Sequence, residues 1–368
     1  GAPPPGAAAG SCAPAVVVVG GAVVDLLCVP AKGTPLLPRT STPGHLEMVS
    51  GGVARNVADG LARLGATPLL VSAVGDDGLG AQVLRELEEL GARSGAPRLA
   101  ELVVRVPGRR TATYIAMMDG CGDLSAAVAD MGIFDAISPA EIAHLAPQIG
   151  AAPLLIADAN LSEAALRCLA RLAVAHSTPL WLEPTSVPKA ARACACLDAA
   201  GLLGALTFVS PNEDEAAAMA AALGGGTQDT SHTGGPVTSA AAAGALVRAG
   251  CRNVFVTRGA RGVLWARDAG GGEVVIEELP ALALRQQLVS TRGAGDAFVA
   301  GAASRLLPPL GPLGRGMHAS HGDVPTEMPP GEPPGKVAAA DAAQEDAAEV
   351  RQAVQAGLRA ARLALLEE

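Results

Sequence analysis

Residues 288–301 read LVSTRGAGDAFVAG. A β-type run stops at Thr291. Gly293, Ala294, Gly295 and Asp296 come next, and an apolar helix-like run follows. Small residues just before a helix leave backbone N–H groups pointing outward. Those groups, with the helix dipole behind them, favour an anion such as a phosphate. Asp296 falls in the first helical turn beside that anion site. A carboxylate there is placed to take a proton from an attacking hydroxyl while the backbone of Gly293 to Asp296 stabilises developing charge. The same four residues also read as a plain tight turn with an acid at a helix N-terminus.

The 368 residues suffice for one large α/β domain or two small ones. Lys and Arg number 27 against 36 Asp and Glu, for a net charge of −9, and no basic block occurs. With only 2% aromatic residues, the chain lacks both a basic track and stacking platforms, which argues against a nucleic-acid polymer as partner. The apolar runs fall far short of a membrane span, and the 49% hydrophobic fraction is largely alanine. Seven scattered cysteines, several inside apolar runs, read as buried free thiols in a reducing compartment, hence a cytoplasmic expectation. Cys194 and Cys196 lack a partner pair, and the six histidines form no ligand spacing.

Upstream, residues 1–14 are Pro, Gly and Ala and predict a disordered tail. Val16 to Leu27 reads VVVVGGAVVDLL. Its four β-branched residues predict a fully buried strand and therefore a parallel sheet. Gly20-Gly21 lets the chain turn near a ligand. Asp25 is either a turn residue or a buried acid in need of a partner, which a sugar diol supplies. Residues 28–50 read as loop with a small strand excursion. Gly51-Gly52-Val53-Ala54-Arg55-Asn56 then opens a helix to Leu64, with Val53, Val57, Leu61 and Leu64 on one face and Gly65 ending it. The two glycines allow close backbone approach to a ligand, and Asn56 offers both a donor and an acceptor for vicinal hydroxyls. A strand at Leu69–Val74, a Gly75-Asp76-Asp77-Gly78 turn and a helix to Leu90, stopped by Gly91, follow. Residues 99–119 alternate and predict antiparallel, half-exposed strands.

Further along, strands and helices alternate, and polar groups fall just after each strand: Asp158 and Asn160, Glu183, Asn212 and Glu215, then Arg258-Gly259. Each alone reads as a helix cap. Together they predict a polar cleft along the carboxyl edge of a parallel sheet. No GxxxxGK[ST] sequence occurs. Residues 223–236 read as a loop. Residues 308–340 are Pro/Gly-rich without periodicity and predict a disordered insertion, and 341–368 a final helix running from Asp341 to Leu366.

Taken together, GAGD, GGxxxN, the GxDxxG-like turn, Asn212-x-x-Glu215 and Thr257-x-Gly259-x-x-Gly262 resemble the PfkB family of ribokinase-like sugar and nucleoside kinases. The resemblance covers about residues 15–307. It implies a three-layer α/β/α domain with a mostly parallel central sheet. A small β-lid is expected from segments near 28–50 and 99–119, in this family often also a homodimer contact. It also implies ATP and Mg²⁺ as cofactors, with room for a monovalent cation. Asp296 is then the base, Gly293, Ala294 and Gly295 the anion cradle, and Asp25, Gly51, Gly52 and Asn56 the sugar site. Asn212, Thr257, Gly259 and Gly262 face the nucleotide, and Glu215 holds Mg²⁺ through water. The early chain end leaves adenine contacts from the C-terminus open. The stretches TSTPGHLEMVSGGVARN, TATYIAMMDGCGDLSAAVADM, WLEPTSVPKA and LTFVSPNEDEAAAMA resemble the pseudouridine kinase branch, as does Ser290 where relatives usually carry Asp. That branch implies transfer to the 5′-hydroxyl of pseudouridine, with Lys189 on the substrate side and Ser41 and Thr113 reading the base. Ribose, adenosine or another nucleoside as acceptor, and a non-catalytic nucleoside-binding protein on the same scaffold, are the competing expectations.

Overall fold

The computed structural model describes residues 16–37, 39–119, 123–223, 237–270, 272–283, 293–307 and 336–366. The tail, most of the 223–236 loop, Leu288 to Arg292 of the opening stretch and residues 308–335 lie outside the described residues.

β1 (Val16–Val19) is the valine run, buried on both faces. Gly20-Gly21 then turns the chain out of the main sheet into β2 (Val23–Pro30), which pairs antiparallel with β3 (Gly44–Gly51). The chain returns through α1 (Val53–Arg63), β4 (Pro68–Gly75) and α2 (Gly78–Ser94). β5 (Leu102–Val106) lies parallel to β4, whereas β6 (Thr113–Met118) pairs parallel with β2, and β7 (Leu124–Asp130) pairs antiparallel with β6. Two short helices, α3 (Pro139–His144) and α4 (Ala146–Ala151), lead into β8 (Leu155–Asp158). Then come α5 (Glu163–His176), β9 (Leu180–Glu183), α6 (Val187–Asp198), β10 (Leu206–Val209) and α7 (Glu213–Ala221). The rest is α8 (Ser239–Arg248), β11 (Asn253–Thr257), β12 (Val263–Asp268), β13 (Val274–Leu279), α9 (Ala294–Leu306) and α10 (Lys336–Ala364).

The main sheet has nine strands in the order β13-β12-β11-β10-β9-β8-β1-β4-β5. It is parallel from β5 through β11, and only β12 and β13 run antiparallel. A separate sheet, β3-β2-β6-β7, forms the lid. Each face of the main sheet has its own apolar core. One packs β-strand side chains such as Val17 and Leu155 against Leu169, Ala190 and Leu246 of α5, α6 and α8. The other packs Val18 and Ile156 against Leu61, Leu87, Val299 and Val354 of α1, α2, α9 and α10. The three-layer α/β/α expectation therefore holds. On the second face Phe255 gathers Trp181, Phe208, Trp265 and Phe298 around it, with ring centroids 5.5–6.3 Å away. Most of the chain's few aromatic side chains are thus concentrated where large rings fill the space between sheet and helices.

Three boundaries differ from the sequence reading. Residues 99–119 do not all belong to the lid, because β5 finds its partner in β4 of the main sheet and only β6 crosses over. α2 continues past Gly91 to Ser94, because Gly95 (φ 73°) takes the left-handed capping position and donates its N–H to the Gly91 carbonyl. The last helix starts at Lys336, ahead of the expected Asp341.

Candidate active site

The strand order reverses direction at β1, which lies between β4 and β8. In open parallel sheets such a switch point opens a crevice at the carboxyl ends of the strands. Gly20 and Asp158 sit there, at the ends of β1 and β8. Asp158 is 1% exposed. Its Oδ2 accepts from the Gly21 N–H at 2.8 Å and the Ala54 N–H at 3.0 Å, and its Oδ1 accepts from the Asn160 N–H at 2.9 Å. Ala54 lies in the first turn of α1, whose N-cap residue is Gly52 and has no side chain to offer. Asp158 therefore caps α1 from across the sheet. Burial pushes its carboxyl up, and the three N–H donors pull against that. Gly52 sits at φ 97°, and a Cβ there would come 2.4 Å from the Gly21 carbonyl oxygen. Only glycine lets the two Gly-Gly turns interlock this closely.

The interlock fixes where α1 starts, and α1 in turn meets α9. Asn56 Nδ2 donates to Asp296 Oδ2 at 2.8 Å. One helical turn further along both helices, Gly60 faces Ala300 so closely that a Cβ on Gly60 would come 2.6 Å from the Ala300 Cβ. Asp296 lies in the first turn of α9, behind an N-cap at Gly293 in the left-handed region (φ 68°). Its carboxyl is pushed up to about 7, first by burial and further by Asp158 and Asp25, while the Asn56 hydrogen bond opposes the rise. Asp25 reaches the same place from β2, and a Cβ on Gly51 would come 2.4 Å from its Oδ2. The structure thus brings together Asp25, Gly51, Gly52, Asn56 and Asp296.

On the other side of Asp296, Ala294 and Gly295 line a cavity of about 490 Å³. Thr257, Gly259 and Gly262 line it too, with Val263, Leu282, Phe298 and Leu358 as its apolar walls. α10 contributes Ala361 and Arg362 as well, and Leu365 just beyond its end also lines the cavity, so the last helix does reach this pocket. Arg362 Nε is buried without a hydrogen-bond partner among the described residues. Thr257 donates its N–H to the Pro211 carbonyl at 2.9 Å and bridges to Asn212, which ties the loop after β10 to the end of β11. The two arginines of this loop are committed locally: Arg258 pairs with Glu278 at 2.9 Å, and Arg261 with Glu213.

Asn212 and Glu215 form a reciprocal capping box on α7, with both bonds at 2.9 Å. Glu215 is 5% exposed, and burial raises its carboxyl. It is electrostatically coupled to Glu183 at the end of β9, whose carboxyl is pushed well up by burial and further by Glu215 and Asp296. Ser210 Oγ donates to Glu183 at 2.6 Å. These acids share one edge of the cleft. Among the described residues no group of three His, Cys, Asp or Glu side chains is arranged to ligate a metal directly. Carboxylate oxygens such as these are donors of the kind a Mg²⁺ ion takes.

The remaining expected residues are described by their local surroundings. Ser41 is exposed in the loop between β2 and β3. Thr113 pairs in register with Val24, and the residue opposite Asp25 is Tyr114. Lys189 donates to Asn160 Oδ1 and neighbours Asp158, which places it beside the switch point. Burial lowers the Lys189 ammonium, and Asp158 works against that. The sequence reading passed over Arg55, which touches Asn56. Its position inside GGVARN was the available signal.

With this geometry in view, similarity to known proteins is informative. The chain is 28% identical over 289 residues to the pseudouridine kinase of Escherichia coli, covering 78% of this chain and 82% of that one. It is 35% identical over 208 residues to the pseudouridine kinase of Arabidopsis thaliana, covering 56% of this chain and 50% of that one. Ribokinases are among the further relatives. A carbohydrate kinase structure from Agrobacterium tumefaciens superposes with a TM-score of 0.62 at 26% identity, covering 96% of this chain and 91% of that one. The fold is ribokinase-like. Residues 13–318 match the pfkB family of carbohydrate kinases, and the chain belongs to that family.

Proposed function

We propose that this chain transfers the γ-phosphate of ATP to the 5′-hydroxyl of pseudouridine. The observation that carries the reading is the position of Asp296. It stands between a cluster suited to a ribose (Asp25, Gly52 and Asn56) and the nucleotide-sized cavity at the start of α9. A carboxyl raised to about 7 is a far better general base near neutral pH than an ordinary aspartate. In this reading Asp296 removes the proton of the acceptor hydroxyl. The backbone N–H groups at Gly293 to Asp296 and the dipole of α9 stabilise charge on the phosphoryl group. Gly259 and Gly262 let the nucleotide approach the backbone, and Leu358 and Phe298 flank its base. Glu215 would hold Mg²⁺, which when bound would supply positive charge to offset that of the phosphates. The lid of β2, β3, β6 and β7 covers the acceptor and excludes water.

Its outer surface exposes Leu46 (60%) and Val128 (64%), which supports a homodimer through the lid. Buried free cysteines 194, 196 and 251 support a reducing, cytoplasmic setting. Among the described residues no helix is long and apolar enough to cross a membrane.

The test is ADP release with ATP and Mg²⁺ against pseudouridine, uridine, adenosine, ribose and fructose. Selective turnover of pseudouridine is expected. Selective turnover of ribose would support the second reading, which the ribokinases among the relatives favour. Tight binding of a nucleoside with no turnover would overturn the enzymatic reading.

A further inference from the structure

We propose that Arg55 is a positioning residue for this reaction: it locks the Asn56 side-chain amide in the one orientation that donates to Asp296. The inference rests on the reading of Asp296 as the base. Arg55 Nη1 donates to Asn56 Oδ1 at 3.2 Å and to the Ser50 carbonyl at 3.3 Å, and it pairs with Asp59 at 3.2 Å. Asn56 Nδ2 then donates to Asp296. A continuous polar chain therefore runs from Asp59 through Arg55 and Asn56 to Asp296.

While Asp296 is ionised, as a base must be before it takes a proton, the chemistry of the chain permits a single polarity. A guanidinium has donors only, and an ionised carboxylate has acceptors only. The amide between them must turn its oxygen to Arg55 and its nitrogen to Asp296. Rotating it by half a turn would set N–H against N–H at one end and oxygen against oxygen at the other. Arg55 is itself held: its side chain is 15% exposed, and Asp59, one helical turn along α1, is 8% exposed. Asp59 is anchored a second time by Arg63. Ser50 is near the end of β3, so the same guanidinium ties the root of the lid to the support of the base.

The demand on Asn56 is unusual. Asp25 from β2, Asp158 from β8 and Glu183 from β9 are all acids that couple to Asp296. The Asn56 N–H from α1 is the donor that opposes them. An amide free to rotate would satisfy Asp296 only part of the time.

The test compares Arg55→Met, Arg55→Lys, Arg63→Met and Asp296→Asn in the full chain. One readout is kcat and KM against pH with the acceptor that the substrate panel selects. A second, independent of turnover, is NMR titration of the Asp296 carboxyl in protein carrying ¹³C-labelled aspartate. Arg55→Met is expected to lower kcat about 10- to 100-fold, to move the acidic limb of the rate profile to higher pH, and to raise the titration midpoint of Asp296. Arg55→Lys restores part of both, because an ammonium still donates to Asn56 Oδ1. Arg63→Met removes the second anchor of Asp59 and leaves the Arg55–Asp59 pair and the Arg55–Asn56 bond in place, so it is expected to shift both readouts less than Arg55→Met does. If Arg55→Met proves unstable, Asp59→Asn, which loosens Arg55 without removing it, is expected to show the same shifts at smaller size. An unchanged acidic limb and an unchanged Asp296 midpoint in Arg55→Met would overturn the proposal. Full activity in Asp296→Asn would instead overturn the assignment of the base. The NMR midpoint would then still report whether Arg55 controls the amide.

Discussion

Asn56 Nδ2 donates to Asp296 Oδ2 across 2.8 Å, although 240 residues separate the two in the chain. The bond joins the sugar side of the cleft to the proposed base. It also sets a pH signature. Asp296 must be ionised to accept a proton, and its carboxyl sits at about 7. The rate constant kcat/KM should therefore rise with pH and level off above about 7. Asn56→Ala removes a donor that favours the ionised form, so the limb should move to higher pH and the rate at pH 7 should fall. A profile with its acidic limb near pH 4 would contradict this account.

The same raised carboxyl predicts a stability effect of opposite sign to the activity effect. Unfolded Asp296 ionises near its ordinary 3.8, whereas the folded group keeps its proton to about 7. Between those values the unfolded chain releases a proton that the folded chain retains, so rising pH weakens the fold. The two pKa values set a ceiling of roughly 4 kcal/mol. Asp296 is only half-buried at the cleft, which lowers the expectation to about 1–3 kcal/mol. Asn does not titrate. Asp296→Asn should therefore match the parent near pH 4, gain on it up to about pH 7 and hold the margin above. Urea unfolding at pH 5 and pH 8 checks the trend, and a margin that shrinks with pH would refute it.

Geometry one turn further along makes a third prediction. Gly60 has no room for a Cβ against Ala300, so Gly60→Val must push α1 away from α9. Overpacking of this kind costs about 1–3 kcal/mol, seen as a lower Tm. The sharper consequence is distal. Separating the helices lengthens the Asn56–Asp296 bond, so kcat should fall about 10-fold or more although Gly60 touches no substrate. A destabilised variant with parental kcat would show that the helix spacing is not what places Asn56.

How much of this was legible in the sequence depends on the range of each interaction. GAGD and GGVARN were readable because their chemistry is local: small residues, a helix start and one polar side chain at fixed spacing. The parallel sheet was readable because β1 is four consecutive valines. The Asp158 cap was not, because its partners Gly21 and Ala54 lie 137 and 104 residues away. Asp158 looked like the start of its own helix, and Oδ1 does bond the Asn160 N–H, but Oδ2 serves the start of α1. The 99–119 segment was misjudged for a similar reason. Alternation shows a half-exposed strand but does not say which sheet it joins, and β5 is the edge of the main sheet. The expectation for Ser41 and Thr113 rests on the lid, whose register no local pattern specifies.

Glu215 offers the cleanest separation of structure from chemistry. In the structure it closes a capping box with Asn212, accepting the Asn212 N–H while its own N–H donates to Asn212 Oδ1. Glutamine closes the same box, because its amide oxygen accepts the same bond. Glu215→Gln should therefore leave Tm within about 1–2 °C of the parent, a difference of a few tenths of a kcal/mol. Losing the charge also relieves Glu183, which Glu215 pushes up, so no destabilisation is expected from that contact. An effect on catalysis then has a single source, the missing negative charge at the acidic edge. If Glu215 holds hydrated Mg²⁺, the Mg²⁺ concentration for half-maximal rate should rise about 10-fold or more, with the acceptor KM little changed. Glu215→Ala should show the same metal defect plus a loss of about 1 kcal/mol from the broken cap. A Glu215→Gln variant with parental Mg²⁺ dependence would leave the residue with its capping role alone and move the metal assignment to Glu183.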